Sequence, residues 1–457
     1  MRILAAVMLA AFTCLSPGPA VARSGMAIED TFMKVRIKGA VYRLNVLIVS
    51  PTGGGRKPIA LLTHGKPLGQ LRMSSTSAIR YLPIARDFAW RGYVAVVVVR
   101  RGFGRSDGPL PVTLGCSATD LMPRFESAAD DLEAVITELA KRPDVDTSRI
   151  VALGASAGGA AVTALAARNV PGLRAVVNIS GGLSFPKCPK DNELVRAYGD
   201  YGKRARIPAL WIYSANDRLF PASLVDRMHE AYLDGGGDVQ RQRVGKFASD
   251  GHALFSSRGG RRIWLNHLDG FLRSRELPTW DLDNVRDNMK EIGMNAGSRV
   301  AMETYLSLPG VKAMAYSPSA KRVLAYFGRN NLEVVRSRAY RTCAQRTGNS
   351  DCRIVMENFE VLPKPSEMSL AASPDADSAM ALLRKLGIEE KRISFMEAYM
   401  DALDKKVLVK SLARSYYSYA GGMKTYDEAR RKAMARCDKR TGGPCQVVME
   451  GDRIVKP

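Results

Sequence analysis

Three residues of types that can share one reaction follow one another along the chain: Ser156 in GASAG, Asp217 in SANDRLFP and His252 in SDGHALF. A serine hydroxyl is a weak nucleophile at neutral pH and attacks a carbonyl only when a base takes its proton, a task that suits a histidine oriented by a carboxylate. The chemistry this set supports is acyl transfer through a covalent intermediate. Two backbone amides must also face the oxyanion formed on the attacked carbonyl. The amide of Ala157, directly after the serine, is one candidate, and that of Lys66 in the loop HGKP is the other.

The pattern GxSxG occurs twice, around Ser156 and around Ser106, so local context must choose between them. A nucleophile elbow needs a strand, a sharp strained turn and then a helix, which together lift the hydroxyl above the carboxyl edge of a sheet. Before Ser156 the run RIVALG reads as a buried strand, and after it AGGAAVTALAAR reads as a helix of small and apolar residues. Ser106 instead meets Pro109 and Pro111, which break helices. The spacing therefore selects Ser156. Asp217 follows the strand-like PALWIYS and His252 follows VQRQRV, so both belong at the same sheet edge. His64 is expected to shape its loop, and His229 and His267 to be surface or packing residues. No HExxH pair and no cysteine and histidine cluster occurs, so neither a metal nor another cofactor is expected.

From Phe32 to Phe271 strand-like runs (MKVRI, YRLNVLIV, PIALLTH, YVAVVVV, RIVALG, LRAVVNIS, PALWIYS, VQRQRV) alternate in their later part with helical patterns. Such alternation means an α/β domain whose mostly parallel sheet is covered by helices on both faces. The first two runs are close enough to form a hairpin, making the sheet mixed at its start. Within this frame LLTHGKP, RGFGRSDG, GASAGG, the acid in SANDRLFP and the histidine in DGHALF make Ala60 to Phe255 resemble the dienelactone hydrolase branch of the α/β-hydrolases. The resemblance implies an α/β-hydrolase fold and hydrolysis of a small-molecule carboxylic ester or lactone. The enzymes that name that branch use cysteine as nucleophile, where this chain has Ser156. GASAGG is also similar to the GxSxGG of prolyl oligopeptidase relatives, so a serine peptidase or amidase is the alternative. A non-catalytic, envelope-binding protein is the alternative of a different class.

Residues 1–22 combine Arg2, an apolar stretch and Ala20 with Ala22, the pattern of a cleavable signal peptide. Cleavage after Ala22 and a periplasmic or secreted location are expected, with no transmembrane segment in the mature chain. Export would leave Cys116, Cys188, Cys343, Cys352, Cys437 and Cys445, an even number that favours disulfides. Cys116 and Cys188 both follow strands of the sheet and are expected to pair at the rim of the substrate pocket.

The hydrolase-like domain is placed at 23–278. Beyond it the chain repeats itself: Tyr305 to Cys343 overlays Tyr399 to Cys437 at an offset of 94 residues, matching Lys312 with Lys406, Gly328 with Gly422 and Arg336 with Arg430. This is an internal duplication. The first copy is assigned to 279–362, a linker to 363–380 and the second copy to 381–457. Each copy reads as small α+β: two short strands, a helix ending at its first cysteine, a turn, and a strand beginning just after its second. Cys343 with Cys352, and Cys437 with Cys445, would staple that helix to that strand, since a unit of this size has a small core. The formal charge of +23 is spread over both halves of the chain and suits an anionic partner such as a cell-envelope polymer. Nucleic acid is not expected, because no recognition motif accompanies the charge.

Overall fold

The structure is a computed structural model, and it describes residues 26–67, 73–109, 116–185, 189–279, 305–306, 308–348, 351–362, 378–402, 405–423 and 425–455. The expected signal peptide and residues 363–377 lie outside the described residues.

In chain order the first half comprises β1 (Met26–Ile37), β2 (Ala40–Pro51), β3 (Lys57–Thr63), α1 (Leu82–Ala89), β4 (Val94–Val98), α2 (Met122–Leu139), β5 (Val145–Ala155), α3 (Ala157–Ala166), β6 (Leu173–Ile179), α4 (Asp191–Arg204), β7 (Ala209–Ser214), α5 (Ala222–Asp234), β8 (Val239–Val244) and α6 (Arg258–Ser274). All eight strands expected from the sequence join one sheet, ordered β1-β2-β4-β3-β5-β6-β7-β8. The β1 to β2 and β2 to β4 pairings are antiparallel and the remainder parallel, so the mixture is confined to the start of the chain.

Strand alternation explains why β4 is almost pure valine: Val94, Val96 and Val98 point into one core, while Ala95, Val97 and Val99 point into the other. A strand covered on both faces has no polar side to present. The first core is closed by α2, α3, α4 and α5, and the second by α1 and α6. Each fully buried valine or leucine contributes about 1.5–3 kcal/mol relative to exposure, and side chains from all eight strands enter one or both of these cores, with Val239 of β8 only partly buried. The sheet is the rigid platform for everything at its carboxyl edge.

The second half holds β9 (Val311–Ser317), β10 (Arg322–Arg329), α7 (Leu332–Thr347), β11 (Arg353–Glu357), β12 (Glu360–Val361), α8 (Ser378–Lys385), α9 (Ile393–Met400), β13 (Val407–Ser411), β14 (Tyr417–Ala420), α10 (Tyr426–Thr441), β15 (Cys445–Glu450) and β16 (Arg453–Ile454). These build two antiparallel four-stranded sheets of like order, β10-β9-β11-β12 and β14-β13-β15-β16. Disulfides join Cys343 to Cys352 and Cys437 to Cys445. Three details differ from the sequence reading. The helices run on past Cys343 and Cys437 to Thr347 and Thr441, because the stop is set by Gly348 and Gly442, which take left-handed φ values of 70° and 62°. A fourth strand of two residues closes each sheet. Helix α8 begins at Ser378, inside the segment expected to be linker, and α9 follows it.

The first repeat is seated on the hydrolase-like half through buried charge. Arg91 holds Asp269 of α6 with two bonds of 2.6 and 2.7 Å, and Arg261 of α6 holds Asp87 of α1 at 3.0 Å. Asp87 also accepts the amide of Gly310 at 2.7 Å, just before β9. Lys312 is buried nearby, its ammonium 3.9 Å from the centre of the Phe359 ring. Among the described residues no helix is long and apolar enough to cross a membrane.

Candidate active site

At the junction of β5 and α3 the backbone of Ser156 takes φ 54° and ψ −125°, a conformation costing a non-glycine residue of order 1–3 kcal/mol. The surroundings impose it. A Cβ on Gly154 would lie 2.1 Å from the carbonyl oxygen of Gly158, and one on Gly158 would lie 2.6 Å from that of His64, so strand, turn and helix meet only with glycine at both places. The Ser156 carbonyl accepts the amides of Gly159 and Gly182 at 2.8 and 3.1 Å, and its own amide donates to Ile179 at 3.0 Å. The hydroxyl is thereby held out at the carboxyl edge.

Asp217 lies just past β7 and is 3 % exposed. Its Oδ1 accepts the amides of Leu219 and Phe220 at 2.9 and 3.1 Å, which fixes the carboxylate before any partner is added. His252 places Nδ1 3.0 Å from Asp217 Oδ2 and 3.2 Å from Oδ1. With Nδ1 donating to the acid, Nε2 is the nitrogen left to accept a proton. The acid and base loops are also tied by Asp250, whose Oδ1 accepts the amides of His252 and Arg218 at 3.0 and 3.2 Å. Burial pushes the Asp250 carboxyl up, but those two amides prevail and hold it below the usual carboxylate range. Sequence reasoning missed this brace, although DG before a histidine is a turn signal.

Ser106 has a structural place. Its hydroxyl donates to Val99 O at 2.6 Å and accepts the amide of Asn45 at 2.9 Å, stitching the loop after β4 to β2. The loop after β3 crosses above the elbow, where a Cβ on Gly65 would lie 3.1 Å from the Cβ of Ser156. His64 shapes that loop: Nδ1 donates to Gly65 O at 2.7 Å and Nε2 accepts the amide of Arg100 at 3.1 Å. Burial, then the charge of Arg100, pushes the His64 imidazole well below its ordinary value, so it is neutral. Lys66 follows directly, with its ammonium pushed down by partial burial and by Arg124. Cys116 is disulfide-bonded; the expectation for Cys188 lies outside the described residues. His229 packs edge-on to Trp211, a packing role. Among the described residues no group of three or more His, Cys, Asp or Glu could hold a metal ion.

A pocket opens beside Ala157, lined by Phe103, Phe125 and Leu183 and by two arginines, Arg100 and Arg124. These arginines went unnoticed in the sequence, where Arg100 reads as the end of a valine strand and Arg124 as the start of a helix.

A largely parallel sheet, a strained serine between strand and helix, and an acid and a histidine on later loops of the same edge together define an α/β-hydrolase; the chain is a hydrolase of esterase or peptidase type. Residues 38–204 match the family model of X-Pro dipeptidyl-peptidase (S15 family), a span that includes Ser156 and ends before Asp217 and His252. Solved structures similar to the chain include an acetyl xylan esterase from Paenibacillus sp. R4, at 16 % identity over 57 % of this chain and 86 % of that one, with a TM-score of 0.41. An esterase from Pyrococcus furiosus matches at 16 % identity over 54 % of this chain and 90 % of that one, TM-score 0.40. Acylaminoacyl peptidase of Pyrococcus horikoshii matches at 21 % identity over 56 % of this chain and 42 % of its own, TM-score 0.40.

Proposed function

We propose that the chain is an exported serine hydrolase that cleaves a carboxylic ester or lactone through an acyl-enzyme. The observation that carries this reading is the Asp217–His252 pair at 3.0 Å on the same sheet edge as the strained Ser156. His252 Nε2 takes the Ser156 proton as Oγ attacks the carbonyl carbon, then returns it to the departing alkoxide. Water repeats the cycle on the acyl-enzyme, with His252 again the base and Ser156 the leaving group. Asp217 keeps the imidazole in the tautomer that can accept and stabilises the imidazolium. The amides of Ala157 and Lys66 receive the oxyanion, and loss of one such donor costs about 10²–10³ in rate.

The match to an X-Pro dipeptidyl-peptidase family favours a second reading, peptide cleavage by the same triad. A dipeptidyl-peptidase must accept a free substrate ammonium near its nucleophile. Arg100 and Arg124 beside Ala157 oppose that, which is why the ester is preferred. Fluorophosphonate labelling of wild type, Ser156→Ala and Ser106→Ala tests the elbow: label is expected on wild type and Ser106→Ala alone. Rates on short acyl esters against prolyl amides then decide the reaction, and faster amide cleavage would overturn the ester reading.

Export rests on residues 1–22, and the disulfides suit an oxidising compartment. Mature protein beginning at Arg23 is the expected result of N-terminal sequencing. The basic repeats fit an anionic envelope polymer, and unchanged envelope association after truncation at Thr279 would exclude that role.

A further inference from the structure

Near the carboxyl ends of β6 and β7 four buried polar side chains meet: Asn178 of β6, Tyr213 of β7, Tyr198 of α4 and Thr163 of α3. Asn178 Nδ2 lies 3.2, 3.3 and 3.4 Å from the hydroxyl oxygens of Tyr213, Tyr198 and Thr163. Tyr213 in turn donates its hydroxyl to Gly181 O at 2.7 Å. Burial pushes the Tyr213 hydroxyl well above its ordinary value and Tyr198 up to about 12, so both remain donors across neutral pH.

This network presses on the backbone that grips the nucleophile. The Ser156 carbonyl is held by the amides of Gly159 and Gly182, and the Asn178 side chain lies against both segments: a Cβ on Gly159 would stand 2.3 Å from its Oδ1, and one on Gly181 only 1.8 Å. That Oδ1 has no hydrogen-bond partner among the described residues. A buried acceptor left so is costly, and an apolar side chain of the same shape would avoid the cost, so core stability alone does not account for an amide here. The turn beside it is strained as well, since Ser180 takes φ 47°. Strain of this kind persists only where the surroundings over-determine it.

We infer that Asn178 and Tyr213 are positioning residues of the active site: they fix the turn at 180–182 against the elbow, and so set the direction in which Ser156 presents its hydroxyl to His252. Tyr213 lies four residues before Asp217, on the strand that delivers the acid. Nucleophile and acid are thereby referred to one buried frame. The inference rests on the serine hydrolase reading above and holds for an ester or an amide substrate alike.

The test follows the full chain by steady-state hydrolysis of p-nitrophenyl butyrate and by the rate constant of fluorophosphonate labelling. Tyr213→Phe removes only the hydroxyl, and is expected to lower kcat and the labelling rate constant by at least about tenfold each, with KM within about threefold of wild type. Asn178→Ala is expected to lose at least as much. Tyr201→Phe removes an equally buried hydroxyl that has no partner among the described residues, and is expected to behave as wild type. Wild-type kcat and labelling rate in Tyr213→Phe overturn the inference, whether or not Asn178→Ala folds. A smaller labelled fraction at an unchanged rate constant also overturns it, since that outcome reads stability alone. An equal loss in Tyr201→Phe overturns it likewise. Wild type that takes no label and cleaves no ester overturns the serine hydrolase reading together with the inference.

Discussion

The two repeats contain the same parts in different surroundings. Tyr305 and Tyr399, Lys312 and Lys406, the two disulfides and the two left-handed glycines occupy matching places. In both copies the lysine ammonium caps backbone carbonyls: Leu306 and Leu308 in the first, Met400 in the second. Yet Lys312 is sealed under Phe359 near Asp87, whereas Lys406 pairs with Asp452, whose side chain is 81 % exposed. The helices differ likewise. Arg338 and Arg341 of α7 grip Glu397 of α9, while the positions matching them in α10 are Lys432, bound to Glu428 of its own helix, and Ala435. Val334, buried against α8 and α9, is matched by Glu428. Duplication kept the internal scaffold and changed the faces. One copy is fitted between neighbours and the other turns charged side chains such as Lys432 and Asp452 to solvent.

That contrast can be broken most severely at Asp87. Asp87→Ala strands the Arg261 guanidinium and the Gly310 amide, and is expected to cost about 3–5 kcal/mol of stability in urea unfolding. Removing either disulfide by paired Cys→Ser substitution should cost about 2–3 kcal/mol, and the same for Cys343/Cys352 as for Cys437/Cys445, since both close loops of similar length. Unequal losses would show that the copies have diverged inside as well as outside. Asp452→Ala, on the exposed counterpart of the Lys312 environment, should cost no more than about 1 kcal/mol.

A further effect separates the halves by pH. All the histidines precede residue 279, so the repeats have none. Burial pushes His64 well below its ordinary value and lowers His229 and His267. For a base with a depressed native pKa, the unfolded chain binds more protons once the pH falls below about 6.5, so stability drops with acidification, by up to about 1.4 kcal/mol per pH unit for the fully buried His64 and by less for the partly exposed His229 and His267. Urea midpoints followed by tryptophan fluorescence, with Trp211 and Trp264 buried in the hydrolase half, should fall between pH 6.5 and 5.5. A flat midpoint would mean that the three imidazoles titrate alike in both states.

Much of this was legible in the sequence because the signals are local. Valine alternation from Val94 to Val99 reveals a strand covered on both faces, and the run from Gly154 to Gly159 encodes strand, turn and helix within a few residues. Asp217 and His252 each follow their own strand. What the sequence hid depends on distance. Asp87, Asp269 and Gly310 are brought together by tertiary packing, and no spacing rule announces them. Arg100 looks like one more basic residue among many until its burial beside Ala157 is seen. Helices α8 and α9 follow a stretch that reads as linker, and their apolar faces acquire meaning only against Val334 of the preceding copy.

The backbone of Ser156 carries a consequence for how such a protein ages. Glycine adopts a positive φ freely, so Ser156→Gly would relieve strain of order 1–3 kcal/mol and make the chain more stable. A descendant that no longer used the hydroxyl would gain by drifting to glycine there. This chain still bears the cost of serine at that turn.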